Sequence, residues 1–396
     1  MTTFDRLWAA LEPIGRDART GGYRRYAWTH EDATLREWFA GEAATRGLTV
    51  TVDRAGNQWA WQGDPDADGP GVVVGSHLDS VPDGGAFDGP LGVVSAFAAL
   101  DVLRSKGFRP ERPLGIVNFG DEEGARFGIA CAGSRMLTGA LAADPARRLS
   151  DDDGVTLAEA MTRAGHPPAH LGRDDETLRR VGTFVELHVE QGRGLGGLNR
   201  PVGVASSIRP HGRWRIDLPG EANHAGTTLL ADRDDAMIAY AHLVLAARES
   251  AQRHGALATC GKVRVQPNGV NAIPSHVTAW LDARAPDSGP VRAVLVDLER
   301  IVAQHRGTVV EESWSEPTAF APELTGRLRR LLDGAPLLDT GAGHDAGILA
   351  AAGVPAAMIF VRNPTGVSHS PAEHADRDDC LDGVAALATV LEDLCR

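Results

Sequence analysis

The sequence predicts an α/β fold with a mainly parallel sheet, interrupted by an inserted α+β domain, and two observations support this prediction. First, apolar runs typical of buried parallel strands alternate with helical patterns on both sides of the central segment; the runs are residues 71–76, 114–119, 183–189 and 355–361. Second, the central segment shows the order β-α-β-β-α-β, which is ferredoxin-like. We therefore assign residues 1–209 and 321–396 to one discontinuous domain and residues 210–320 to the insert.

Helix signals define the other elements of the α/β domain. Residues 90–106 form a helical pattern that has Pro90 in its first turn and stops at Gly107. Residues 344–352 form another, which ends before Gly353. The N-terminal segment is an amphipathic helical pattern for which Thr3 is the expected N-cap.

The insert alternates polar and apolar residues in the manner of a half-buried sheet. Trp214, Ile216 and Leu218 share one face of the first predicted strand. The predicted strands and helices lie at residues 213–218, 232–254, 258–265, 276–284, 289–305 and 308–314.

Charge and cysteine content exclude several classes of partner. The formal net charge is -13, so we expect neither nucleic acid nor an anionic membrane surface as a partner. No stretch of about 18 apolar residues predicts a membrane span. The chain shows no secretory signal and its 4 cysteines form no C-x-x-C pair, which predicts reduced thiols and a cytoplasmic protein.

Residue types that ligate metal ions follow the ends of the four apolar runs. His77 ends the first run, the acidic residues 121–123 follow the second, His188 lies in the third, and His369 lies in the loop after the fourth. Ligands of open α/β sheets bind beyond the carboxyl ends of the strands. We therefore expect these side chains to meet at one edge of the sheet.

Two further carboxylates fit the same interpretation. Asp79 can accept the ring N–H of a ligating His77 and fix its tautomer, and Asp88, in the turn G-A-F-D-G-P, can bridge two cations. The adjacent Glu122 and Glu123 can divide the roles of general base and ligand. Each feature by itself has a plainer interpretation: a strand-end histidine, a turn aspartate, a solvated acidic turn or a core histidine. Together they favour a metal site.

Seven stretches of the chain, taken together, resemble a known family: GSHLDSVPDGGAFDGPLGV, NFGDEEGARFG, ELHVEQG, GEANHAGTT, NAIP, GAGHDA and GVSHSPAE. They span residues 75–373 in the family's order. The set is similar to the ureidohydrolase branch of the M20 superfamily of dinuclear-metal amidohydrolases and peptidases. That branch contains N-carbamoyl-L-amino-acid hydrolases, β-ureidopropionases and allantoate amidohydrolases.

The resemblance implies a role for each matching residue. It implies two divalent ions per subunit, Zn²⁺ or Mn²⁺, with Asp88 bridging, and the implied ligands are His77, Asp88, Glu123, His188 and His369. Glu122 would be the general base, and Asp79 would orient His77. The implied substrate-binding residues are Gln191, His224, Asn271 and Arg284. His224 would also polarise the scissile carbonyl, and His344 of GAGHDA has no assigned role.

The resemblance also implies an activity: hydrolysis of a linear ureido C–N bond in a small substrate with a carboxylate, either allantoate or an N-carbamoyl-L-amino acid. It implies that the insert is a lid and forms a homodimer, in which His224 serves the partner's metal site. Two alternatives remain open. A metallopeptidase acting on a small peptide would share the metals, although the peptidase branch usually has an acid where this chain has His188. A non-catalytic binding protein of this fold would be expected to lack a ligand or the base.

Overall fold

The computed structural model describes residues 1–396 and divides into two compact units. The larger unit is Met1–Ser207 with Ala319–Arg396, and the smaller unit is Ile208–Thr318. The insert predicted at residues 210–320 therefore corresponds to the smaller unit.

The helices and strands are as follows. The α-helices are α1 (Thr3–Leu11), α2 (His30–Thr45), α3 (Pro90–Ser105), α4 (Ala132–Thr138), α5 (Ala143–Arg148), α6 (Leu157–Arg163), α7 (Asp175–Arg179), α8 (Gly194–Leu198), α9 (Ala236–His254), α10 (Ser288–Gln304), α11 (Pro322–Leu331), α12 (Asp345–Ala351) and α13 (Arg377–Leu394). Short 3₁₀ helices lie at Pro168–His170 and Leu230–Asp232. The strands are β1 (Thr49–Val52), β2 (Gln58–Gln62), β3 (Gly71–His77), β4 (Leu114–Phe119), β5 (Val181–Val189), β6 (Val202–Ile208), β7 (His211–Pro219), β8 (Asn223–His224), β9 (Leu257–Gln266), β10 (Ala272–Ile273), β11 (His276–Arg284), β12 (Thr308–Ser315), β13 (Thr318–Ala319), β14 (Leu337–Thr340) and β15 (Ala356–Val361).

The larger unit is built on a sheet in the order β1-β2-β4-β3-β5-β15-β6-β13, with β14 beside β6. Its four central strands β4, β3, β5 and β15 run parallel, so their carboxyl ends meet at one edge. β3, β4 and β15 are buried along their whole length, as expected for strands covered on both faces. Helices α3 and α13 pack on this sheet and on each other. The predicted mainly parallel α/β domain is confirmed.

The smaller unit has an antiparallel sheet in the order β12-β7-β11-β9. The alternating residues Trp214, Ile216 and Leu218 of β7 are buried in a core shared with α9 and α10, while the residues between them are more exposed. This arrangement is the predicted ferredoxin-like one. A separate two-stranded pairing joins β8 to β10, with His224 opposite Ala272.

Three helix starts differ from the sequence predictions, and at two of them a side chain caps the first turn. Thr2, and not Thr3, caps α1, since its hydroxyl accepts the Asp5 N–H. α9 begins at Ala236 and not at residue 232, because the Asp235 carboxylate accepts the Met237 N–H. His344 precedes α12 as its N-cap residue. No helix combines the length and apolar character that crossing a membrane would require.

Candidate metal centre

Five side chains predicted as metal ligands lie together beyond the carboxyl ends of the parallel strands. His77 ends β3 and His188 lies near the end of β5, and both are fully buried. Asp88 and Glu123 are 6% and 8% exposed, which is unusual for acids without a cationic partner. His369 follows β15, and its side chain is 46% exposed, so the cluster opens to solvent on its side.

The five side chains form two groups that share Asp88. The potential ligand atoms of His77, Asp88 and His188 all lie within 4.8 Å of one another, and so do those of Asp88, Glu123 and His369. His188 Nε2 is 3.2 Å from Asp88 Oδ1, whereas His369 Nε2 is 3.5 Å from Asp88 Oδ2 and 3.5 Å from Glu123 Oε2. Each oxygen of one carboxylate therefore faces a different group.

Both buried histidines present Nε2 to the cluster. His188 Nδ1 is 3.0 Å from the Val189 carbonyl oxygen, and His77 Nδ1 is 3.2 Å from the Asp79 carbonyl oxygen and 3.4 Å from Asp79 Oδ1. These acceptors keep the proton on Nδ1 of a neutral ring, so Nε2 offers its lone pair. Neither Nε2 atom has a hydrogen-bond partner, and neither does Glu123 Oε1. Buried nitrogen and oxygen atoms with free lone pairs are suitable ligands for a divalent cation.

Asp79 has a contact that the sequence did not suggest. Beyond its proximity to His77, its two carboxylate oxygens accept the N–H groups of Glu122 and Glu123 at 3.1 and 3.0 Å. It therefore fixes the turn that follows β4. Glu122 Oε2 lies 3.7 Å from His77 Nε2, and Cys131 donates its thiol hydrogen to Glu122 Oε1 over 3.2 Å.

The protonation equilibria show that acids outnumber bases in this buried volume. Burial raises the pKa of Glu122 to about 7, although His77 opposes the shift. Burial and the Asp88 charge raise the pKa of Glu123 well above its usual range. Burial opposes the charge of His188, but Asp88 and Glu186 outweigh it and raise its pKa to about 9. Divalent cations would stabilise the ionised carboxylates and the neutral imidazoles at once.

Gln191, predicted to bind substrate, contacts the centre of the cluster. Its Nε2 donates to Asp88 Oδ2 at 2.8 Å and to Ser368 Oγ at 3.1 Å, while its buried Oε1 has no hydrogen-bond partner. Sequence reasoning missed Ser368 and the buried Glu373. The signal lay in the same V-S-H-S-P-A-E stretch as His369, where only the histidine was singled out. Burial and the Asp88 charge raise the pKa of Glu373 to about 7.

Two buried residues adjoin the cluster behind His188. The Glu186 carboxylate accepts the Ser76 hydroxyl at 2.7 Å and the Ala346 N–H at 3.0 Å. The His344 ring centroid lies 4.5 Å from that of His188. The potential ligand atoms of Glu186, His188 and His344 also lie within 4.8 Å of one another, so these three form a third group that shares His188.

In the smaller unit, His224 and Asn271 lie together, whereas Arg284 lies apart from them. The Ala225 N–H donates to the Asn271 carbonyl at 2.9 Å. The Gly226 N–H donates to His224 Nδ1 at 3.0 Å, so a neutral His224 ring carries its proton on Nε2 and can donate it. Arg284 ends β11 and is bound at Nε and Nη2 by the two Asp282 oxygens, at 2.7 and 2.9 Å.

The chain is similar to a known family and to several known proteins. The model of Peptidase family M20/M25/M40 matches residues 73–393. An N-carbamoyl-L-amino acid amidohydrolase of Geobacillus stearothermophilus is 36% identical, over 97% of this chain and 96% of that protein. The allantoate amidohydrolase of Escherichia coli K12 is 33% identical, over 97% and 95%. A solved amidase of the hydantoinase/carbamoylase family from Burkholderia vietnamiensis superposes with a TM-score of 0.91 at 31% identity, over 99% and 98%.

Proposed function

Because the chain belongs to Peptidase family M20/M25/M40, we propose that it hydrolyses a linear ureido C–N bond in a small substrate that carries a carboxylate. The substrate is an N-carbamoyl-L-amino acid or allantoate, the compounds named for its relatives. The observation that carries the proposal is the shared position of Asp88 in two groups of potential ligands, with Glu122 beside them. For a carbamoyl amino acid, one water yields carbon dioxide, ammonia and the free amine.

The proposal includes two Zn²⁺ or Mn²⁺ ions per chain, and His, Asp and Glu donors suit either metal. His77 and His188 would hold one ion, Glu123 and His369 the other, and Asp88 would bridge them. When bound, such a pair polarises a carbonyl oxygen and lowers the pKa of a coordinated water.

The residues around the ligands would supply the proton transfers. Glu122 would accept a proton from the attacking water and later donate it to the departing nitrogen. The Cys131 thiol donates to the Glu122 carboxylate, and Asp79 accepts the Glu122 backbone N–H. These two hydrogen bonds hold the residue in place. Gln191 Oε1, buried and unpaired, would accept an N–H of the ureido group, and a ureido group offers several such donors.

The smaller unit would provide the lid and the dimer contact. A strand rises about 3.3 Å per residue, so Arg284 and His276, at the two ends of β11, are roughly 26 Å apart, and Asn271 precedes the His276 end in the chain. A small substrate cannot reach both ends of one strand. If His224 and Arg284 bind the same substrate, they must come from different copies of the chain, which supports a homodimer with His224 acting in the partner's site.

The free state of Cys131, Cys260, Cys380 and Cys395 supports a cytoplasmic location. None of these thiols forms a disulfide, as expected for a reducing compartment.

A substrate panel tests the activity. We expect ammonia release from N-carbamoyl-L-amino acids or allantoate in the presence of Mn²⁺ or Zn²⁺, and none from dipeptides. N-carbamoyl-β-alanine and both stereoisomers of one carbamoyl amino acid complete the panel. Dipeptide cleavage without ureido hydrolysis would show the chain to be a peptidase instead.

A further inference from the structure

Glu373 is a buried acid that belongs to neither group of potential metal ligands. It is 5% exposed, and its Oε1 accepts the N–H groups of Phe87 and Asp88 at 2.8 and 2.9 Å. One carboxylate oxygen thus holds the backbone of the turn that carries Asp88, 285 residues earlier in the chain.

The other Glu373 oxygen reaches the Asp88 side chain through a hydroxyl group. Ser368 Oγ is 3.2 Å from Glu373 Oε2 and 3.0 Å from Asp88 Oδ2. Because a hydroxyl has one proton and two lone pairs, Ser368 donates to one carboxylate at a time and accepts from Gln191 Nε2 at 3.1 Å. Asp88 is therefore held at its backbone by Glu373 and at its side chain by Ser368 and Gln191.

Two glycines let this turn fit between Glu373 and His77. A Cβ at Gly85 would lie 2.4 Å from Glu373 side-chain atoms. A Cβ at Gly89 would lie 2.4 Å from the His77 ring, and Gly89 also has φ +88, which disfavours other residues. The Asp88 turn is thus packed tightly on both sides. Its position depends on the two backbone hydrogen bonds that Glu373 accepts.

We propose that Glu373 is a positioning residue for Asp88: by accepting two backbone N–H groups and engaging Ser368, it fixes which Asp88 oxygen faces each group of metal ligands. A bridging carboxylate must direct its two oxygens at two different cations, so a rotated Asp88 would lose one of them. This inference rests on the proposed dinuclear centre. It assigns Glu373 a role through hydrogen-bond geometry and not through its charge.

Manganese binding to the full-length protein tests the role, measured as Mn²⁺ stoichiometry by equilibrium dialysis and as the exchange-coupled signal of paired Mn²⁺ ions by electron paramagnetic resonance. Glu373→Ala leaves the N–H groups of Phe87 and Asp88 without their acceptor. We expect it to weaken at least one Mn²⁺ site by about 10- to 100-fold, the usual effect of losing such a partner, and to lose the coupled signal. Glu373→Gln should bind nearly like wild type, because its amide oxygen accepts both N–H groups and its NH₂ donates to Ser368.

Asp174→Ala is the matched control for stability. Asp174 is also 5% exposed, and its carboxylate accepts the N–H groups of Thr177 and Arg54 at 3.1 and 3.4 Å. Metal-free Asp174→Ala and Glu373→Ala should both unfold at lower temperature than wild type, but only Glu373→Ala should lose Mn²⁺ affinity. If Glu373→Ala does not fold, Ser368→Ala decides, since it removes only the hydroxyl link and should still weaken the coupled signal.

The outcomes separate this inference from the proposed function. Wild-type protein that binds fewer than two Mn²⁺ ions would overturn the dinuclear centre itself. Two tightly bound, coupled ions in wild type and equally in Glu373→Ala, or in Ser368→Ala where the former is unfolded, would overturn the positioning role alone. A Glu373→Gln protein as impaired as Glu373→Ala would show that the charge matters and not the hydrogen-bond geometry.

Discussion

In the larger unit most of the candidate site residues are buried and contact one another, whereas in the smaller unit His224 and Asn271 are exposed and Arg284 is partly exposed and lies apart from them. The potential ligand atoms of His77, His188 and Asp88 lie within 4.8 Å of one another, and the Nδ1 atoms of the two histidines contact backbone carbonyl oxygens. His224 is exposed and is ordered mainly by its own turn, and Arg284 pairs with Asp282.

The difference predicts that the two units have separate roles, one in metal binding and one in substrate binding. In this cluster the Nε2 atoms of His77 and His188 have no hydrogen-bond partner, and acidic side chains outnumber basic ones. Such a cluster can bind cations without contacts from the smaller unit. His224 and Arg284 should not bind the same small molecule within one chain, because Arg284 ends β11 at the end opposite to the one that Asn271 precedes. We therefore expect metal binding to be a property of the larger unit and substrate selection to require assembly.

The largest effect should come from metal removal. Chelation should abolish turnover, because no other group in the cluster can polarise the substrate carbonyl, and Mn²⁺, Co²⁺ or Zn²⁺ should restore it. Ammonia release before and after dialysis against chelator, with metal content measured on the same samples, checks this. Full activity in metal-free protein would contradict the proposal that turnover depends on metal ions bound by the larger unit.

Glu122 and Glu123 are adjacent, but substitutions of the two residues should have different effects. Glu122→Gln should keep its metals and lose about 10²- to 10⁴-fold in kcat, the usual contribution of a general base. Glu123→Gln should instead lower metal occupancy, because Glu123 belongs to the ligand group with His369. Kinetics and metal analysis of both variants decide; the reverse pattern would exchange the two roles.

Mixed dimers test whether the smaller unit acts on the partner's site. His224→Ala should lose about 10²- to 10³-fold in kcat if it stabilises the oxyanion, and Glu122→Gln should be similarly inactive. After subunit exchange, half of the dimers carry one copy of each variant, and each of these has one intact site. Activity should therefore recover to about a quarter of wild type for random pairing in a two-fold dimer. Proven exchange without recovery would place His224 in its own chain's site or outside catalysis.

Arg284 should affect substrate binding more modestly. Loss of a charge-assisted pair with the substrate carboxylate costs about 1.5–3 kcal/mol, so Arg284→Ala should lower kcat/KM by about 10- to 100-fold. The loss should nearly vanish for a substrate analogue without the carboxylate. Asp282→Asn is the control, because it tests whether the paired geometry at Nε and Nη2 matters. Equal losses on both substrates would rule against carboxylate binding by Arg284.

The sequence predicted the side chains that meet beyond the strand ends and missed the hydrogen bonds between turns that hold them. His77 and His188 could be placed because continuous apolar runs predict parallel strands whose carboxyl ends share one edge. The hydrogen bond from the Glu122 N–H to Asp79 joins residues 43 positions apart. The hydrogen bond from the Asp88 N–H to Glu373 joins residues 285 positions apart. Neither has a periodicity to reveal it, since both depend on how turns pack against each other.

In the inserted domain, local spacing also predicts one contact of a candidate site residue. Asp282 and Arg284 are two apart on β11, and alternate residues of a strand share a face. Their pairing was therefore predictable once the strand at residues 276–284 had been identified. The start of α9, by contrast, depends on the Asp235 cap, which lies three residues after the start predicted at residue 232.

The smallest expected effect concerns Cys131, which contacts the proposed general base Glu122. Its thiol donates to Glu122 Oε1, and its backbone N–H donates to the Glu122 carbonyl. Cys131→Ala removes only the first contact, and one hydrogen bond contributes about 0.5–1.5 kcal/mol, so kcat should fall by roughly 2- to 10-fold while KM and metal content stay unchanged. Cys131→Ser keeps a donor of similar size and has the same backbone demand at φ 55, so it should retain most of the activity. Steady-state kinetics of the two variants isolate the thiol contact, and equal kcat values for both and for wild type would show that Asp79 and burial alone hold Glu122.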